Sequence, residues 1–162
     1  MQKEAIKKIK TYVIAILIPL AVGAASALIT RGNMNIYDEI KTPPLSPPGI
    51  LFPIVWTILY ILMGISSAII YLNKEKAKKP AEKGLSYYAL SLAFNFVWSI
   101  LFFNFRIYLA SFAWLLVLLA LIICTILSYK KASRLAAYLQ IPYAVWVIFA
   151  GYLNLAIWFL NK

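Results

Sequence analysis

Five stretches of this chain contain no Asp, Glu, Lys or Arg: residues 11–30, 42–73, 84–105, 107–129 and 135–161, each at least 20 residues long. A helix rises about 1.5 Å per residue and the hydrocarbon core of a bilayer is about 30 Å thick, so about 20 apolar residues make one crossing. Each stretch is therefore long enough to span. Composition agrees: 64% of the residues are hydrophobic, 13% are charged and the mean hydropathy is +0.83, against about half apolar and a quarter charged in soluble domains. A soluble enzyme is excluded. So is a transmembrane barrel, whose strands would alternate in segments of ~10 residues. The pattern predicts an all-α protein, an integral membrane bundle of five transmembrane helices in a single domain, at about 9–30, 50–73, 84–104, 108–129 and 136–160.

The net charge of +11 would point to nucleic acid in a soluble protein. Topology explains it here, and no nucleic-acid partner is expected. Lys3, Lys7, Lys8, Lys10, Lys74, Lys76, Lys78, Lys79, Lys83, Lys130, Lys131 and Arg134 all fall on one side of a five-span chain; Arg31, Lys41, Arg106 and Lys162 fall on the other. The positive-inside rule then puts the N-terminus inside and the C-terminus outside, in the manner of a prokaryotic cell membrane protein. Tyr12, Tyr71, Tyr87, Tyr88, Tyr108, Tyr129 and Trp158 fit an interfacial belt. Lys7 to Lys10, an apolar run and Ala25-Ser26-Ala27 resemble a secretory signal, but the run from Thr11 to Thr30 is longer than a usual signal core and is read as a retained span.

Histidine is absent and Cys124 is the single cysteine. No cysteine-based metal site, disulfide within the chain or histidine-ligated haem is expected. The charge-free windows hold no acid or base, which disfavours ion-coupled transport, and no catalytic residue stands out.

The connections are unequal. Asn104 to Ile107 is a tight turn between the third and fourth spans, and Asn73 to Lys83 is a charged loop in which Pro80 is expected to stop either helix. Residues 31–49 include Gly32, Asn33, Asn35, Pro43, Pro44, Pro47, Pro48 and Gly49. That segment is too long for a hairpin, and Thr42 to Pro48 should be stiff and extended. It is either a linker or a semi-rigid lid over one end of the bundle, with Tyr37, Pro43, Pro47 and Pro48 as lid residues. Pro19 and Pro53 kink or start helices, and Pro142 is expected near the start of the fifth.

Three spans each present a polar and aromatic stripe at helical spacing: Trp56, Tyr60, Gly64, Ser67 and Tyr71; Ser91, Asn95, Trp98 and Ser99; Tyr143, Trp146, Ala150, Asn154 and Trp158. Amides such as Asn95 and Asn154 are costly to leave unpaired in hydrocarbon and must face the bundle interior. One reading is helix glue, since polar side chains bridge membrane helices for ~0.6 kcal/mol on average. The other is an intramembrane cavity, because tryptophan beside amide near mid-span is what a pocket for a flat apolar ligand requires. Its residues would be Trp56, Tyr60, Asn95, Trp98, Tyr143, Trp146, Ala150 and Asn154. Gly23 and Ala27 in the first span form a small-xxx-small pair suited to helix packing.

In order along the chain, Tyr37-Asp38 with Pro43 and Pro47-Pro48-Gly49, Val55 to Tyr60 with Met63-Gly64, Phe94 to Ser99 through Phe102-Phe103, and Ile141 to Trp146 with Phe149-Ala150 and Leu153-Asn154 resemble the translocator protein family, also called tryptophan-rich sensory proteins or peripheral benzodiazepine receptors. The resemblance implies a five-helix bundle, commonly a homodimer. It implies a cavity for porphyrin or other tetrapyrroles and for drug-like benzodiazepine-site ligands, with pocket roles for Trp56, Asn95, Trp146 and Ala150. Family members often carry aromatics where this chain has Ile36 and Leu45, and Leu155 stands where the family's proposed cholesterol motif needs tyrosine. Sterol recognition through that motif is not expected. Three functions remain open: a receptor for a porphyrin-like ligand with a sensory, transport or regulatory role; a membrane enzyme promoting oxidative or light-dependent breakdown of protoporphyrin; and a transporter or structural partner without a pocket. No cofactor is expected.

Overall fold

Hydrocarbon offers no partner to a backbone amide, so a lipid-embedded apolar segment must satisfy its N–H and C=O groups within itself. The structure, a computed structural model, describes residues 2–34 and 39–162. Each charge-free stretch becomes one helix: α1 (Gln2–Thr30), α2 (Leu51–Leu72), α3 (Lys78–Ser99), α4 (Tyr108–Ala132) and α5 (Arg134–Leu160). All five are long and apolar enough to cross a membrane, and there is no strand among the described residues. The chain is a multi-pass helical membrane protein.

Several helix ends lie beyond the apolar windows. Gln2 to Lys10 is helical because Glu, Gln and Lys are good helix formers, and Glu4 pairs with Lys8 one turn on at 3.4 Å. Contrary to expectation, Pro80 does not stop a helix. It sits in the first turn of α3, where the N–H it lacks would have no intrahelical partner. Pro142 likewise is not near the start of its helix: α5 begins at Arg134, capped by Ser133, so the proline lies in the helix interior and leaves the Tyr138 carbonyl without its usual partner. Pro19 does the same to Ala15 within α1.

Around the bundle the helices run α1, α2, α5, α4, α3, and the ring closes between α3 and α1. On the seam between α1 and α2 the two backbones come close. A methyl group at Gly64 would come within 2.5 Å of the Ile16 Cα and 2.7 Å of the Ala15 carbonyl, so only glycine permits that approach. Polar side chains bind other seams. Ser66 donates to the Ala136 carbonyl at 2.7 Å and accepts from Gln140 at 3.2 Å, joining α2 to α5. Trp114 donates to the Phe94 carbonyl at 2.8 Å while their rings stack at 4.3 Å, joining α4 to α3.

α3 continues into a π-helical turn, Ile100–Asn104, closed by the Phe105 N–H on the Ile100 carbonyl at 3.1 Å. The reversal into α4 passes through Arg106, whose φ of 55° is left-handed. The segment between α1 and α2 is tied across this end of the bundle. Asn33 donates to Asn104 at 2.9 Å, Glu39 pairs with Arg106 at 3.0 Å, and Tyr152 donates to the Pro44 carbonyl at 2.9 Å. Asn161, just past α5, accepts from the Lys41 N–H and donates to its carbonyl, both at 2.9 Å.

Candidate functional site

In the half of the bundle away from the lysine-rich end, a cavity of about 410 Å3 lies between α1, α2 and the end of α3. That volume falls within the about 300–1,000 Å3 of small-molecule sites. α2 supplies the aromatic wall: Trp56 and Tyr60, one turn apart, stack with centroids 5.4 Å apart. α3 supplies Trp98, Ser99 and, from the π turn, Phe103. A π turn holds an extra residue and so rotates the side chains beyond it, which makes such turns frequent at binding sites. α1 supplies Gly23, Ala24, Ser26, Ala27 and Thr30, and their small size is what leaves the space. Met34 and Phe52, at the two ends of the connecting segment, line the cavity where it meets that segment.

Behind the wall lies a hydrogen-bonded layer. Asn95, buried, donates from Nδ2 to the Tyr60 hydroxyl at 2.9 Å. Trp98 donates from its indole N–H to Asn154 Oδ1 at 3.2 Å, and Asn154 Nδ2 donates in turn to the Tyr108 carbonyl at 2.7 Å. Each amide therefore orients one aromatic ring of the wall. Asn95 Oδ1 is buried with no hydrogen bond of its own, and the Tyr143 hydroxyl is buried beside Ser91.

The eight residues singled out in the sequence thus divide. Trp56, Tyr60 and Trp98 line the cavity; Asn95, Asn154 and Tyr143 support them, Tyr143 meeting Trp56 edge-on at 6.1 Å. Trp146 and Ala150 are not among the cavity's lining residues: Trp146 packs on Phe52 at 5.9 Å and Phe149 at 5.5 Å, and Ala150 is buried in the core. Of the lid residues, Pro43 is buried, Pro47 and Pro48 lead into α2 with the Pro48 carbonyl accepting from the Leu51 N–H, and none of the three lines the cavity. Tyr37 lies outside the described residues, as does Ile36. The contribution of α1 escapes a reading based on polar and aromatic stripes, although Gly23 and Ala27 stand out in the sequence for their size.

The sequence profile of the TspO/MBR family matches residues 15–159. The chain is 36% identical over 156 residues to the tryptophan-rich protein TspO of Chlorobaculum tepidum, covering 96% of this chain and 98% of that protein. It is 35% identical over 150 residues to the tryptophan-rich protein TspO of Archaeoglobus fulgidus, covering 92% and 95%. It is also 35% identical over 147 residues to the translocator protein of Bos taurus, covering 88% and 85%. With the profile running through all five helices and these relatives aligned over nearly the whole chain, the protein belongs to the TspO/MBR family.

Proposed function

We propose that this protein is a membrane receptor that holds a broad, largely apolar ligand, of the porphyrin class, in the cavity between α1, α2 and α3. The single observation carrying the reading is the aromatic wall of Trp56, Tyr60 and Trp98, two of whose rings are oriented from behind by Asn95 and Asn154. Indole and phenol faces stack on a planar macrocycle, while hydroxyls and amides meet its polar edge. Arg31 and Lys41 lie at this end of the bundle and supply cations for propionates, while Arg106 there is paired with Glu39. Relatives bear names that speak of sensing and of translocation, which accords with a site that binds and releases. In the same proposal the lysine-rich end faces the inside of the cell, the ligand-side end faces out, and two copies form a homodimer.

Quenching of tryptophan fluorescence on titration with protoporphyrin tests the site. Trp56→Ala and Trp98→Ala should weaken binding by about tenfold each, since loss of a stacking aromatic ring costs about 1–3 kcal/mol. Trp146→Ala should weaken it less, because Trp146 acts through Phe52. Unchanged affinity in the first two variants would remove the assignment.

A further inference from the structure

A second groove, about 460 Å3, runs beside α1 at the lysine-rich end, with walls that include Ile14 and Ile18 of α1, Ser67 and Tyr71 of α2, and Tyr88 and Ala89 of α3. Ile14, Ile18, Tyr71 and Ala89 are themselves exposed on the outside of the bundle, so the groove opens sideways, into the bilayer. Its rim is cationic. Lys74 holds its ammonium 4.7 Å above the ring of Tyr71, a wall residue. Lys7 lies one turn before Thr11, another wall residue, and Lys78 is on the α3 face that continues to Leu85 and Ala89. Three acids stand among these lysines: Glu4 is taken up by Lys8, Glu75 follows Lys74, and Glu82 lies one turn after Lys78 on the same α3 face, so the rim is cationic in net. About a turn and a half below Lys83, the Tyr88 hydroxyl is buried beside Ser67.

We propose that this groove is a phospholipid site, distinct from the aromatic cavity: it seats one acyl chain of an anionic phospholipid from the adjoining leaflet, with the phosphate held by Lys7, Lys74 and Lys78. Two features fit this occupant together. The apolar walls open towards lipid. The lysines stand only at the end where a headgroup lies, and Tyr88 and Ser67, about 10–15 Å along their helices from Lys78 and Lys74, lie beside the acyl chain.

The test is native mass spectrometry of the detergent-solubilised protein exposed to phosphatidylglycerol or phosphatidylcholine, with circular dichroism confirming that each variant is helical. One phosphatidylglycerol per chain should be retained, in preference to phosphatidylcholine. Lys7→Gln, Lys74→Gln and Lys78→Gln should each lower retention by about fivefold, and Ala89→Phe, which fills the groove, should abolish it. Leu90→Phe, on the neighbouring lipid-facing position, should change nothing. Should Ala89→Phe fail to fold, phosphatidylglycerol carrying a diazirine in its acyl chain serves on the unaltered protein: it should label Ile14, Ile18 and Ala89 in preference to Leu116 and Val117 of α4. Equal retention of both lipids, or labelling without preference, overturns the proposal. So does an Ala89→Phe variant that loses dimers while keeping its phosphatidylglycerol, since the groove would then be a contact between copies.

Discussion

Two glycines on the α1 to α2 seam show how much depends on what lies opposite a single position. At Gly64 an added methyl meets backbone, the Ile16 Cα and the Ala15 carbonyl. Backbone cannot step aside, so Gly64→Ala should lower stability by about 1–3 kcal/mol, the usual cost of overpacking, read by thermal unfolding in detergent. At Gly23 the atoms nearest the added methyl belong to the ring of Tyr60, a side chain that borders the cavity and can turn by giving up its bond to Asn95. Gly23→Ala should therefore cost less stability than Gly64→Ala but weaken protoporphyrin binding, and equal effects of both on both measurements would contradict this. Tyr60 is also the partner of Asn95. Tyr60→Phe strands a buried amide and should cost about 1–3 kcal/mol, whereas Tyr60→Phe combined with Asn95→Leu should recover most of it, because a paired deletion leaves nothing unsatisfied. A double-mutant cycle measures the difference. The sequence disclosed Asn95 and Tyr60 because an amide and a phenol inside an apolar window demand partners. It disclosed Gly23 only as a packing residue, since a residue that matters by being small carries no chemistry to find.

Among the elements, the helices were legible and their ends were not, for a physical reason. A charge-free window marks hydrocarbon, and a helix does not stop where hydrocarbon does: Gln2 to Lys10 continues α1 into the headgroups, and Lys78 to Lys83 begins α3 there. Proline reads as a stop only when its position within the helix is known, and Pro80 and Pro142 show both sides of that dependence. By sequence the segment before α2 is either a linker or a lid, and its ties bear on that choice. The Glu39 to Arg106 pair is half exposed and contributes little, about 0–1 kcal/mol. The bonds between Asn161 and the Lys41 backbone are directional and hold the segment to the far side of the bundle. Asn161→Ala should leave the midpoint of thermal unfolding nearly unchanged, yet speed amide hydrogen exchange at Lys41 and raise the dissociation rate of bound protoporphyrin severalfold. Faster exchange with an unchanged dissociation rate would mark the segment as a linker.

At the scale of the whole bundle, α1 is the least embedded helix: 17% of its most apolar window is buried, against 44% for α2. It is fastened to α2 at Gly64 and leaves space beside α3, and both cavities lie along it, one lined by residues 20–34 and the other by residues 11–18. Nothing in the apolar pattern could reveal this, because all five windows look alike until neighbours are assigned; the order of helices around the ring decides which faces meet. A ligand in the aromatic cavity would supply the contacts with α3 that α1 lacks. At 100 times its Kd a ligand binding only the folded state adds about 2.7 kcal/mol, and here the gain should be concentrated on one helix. Saturating protoporphyrin should slow amide exchange across Leu20 to Thr30 more than across α4, whose residues do not line the cavity. Protection centred on α5 around Trp146 and Ala150, with α1 unchanged, would move the site to the other side of α2. A rise in thermal midpoint with no change of exchange in either helix would assign binding to the protein's surface.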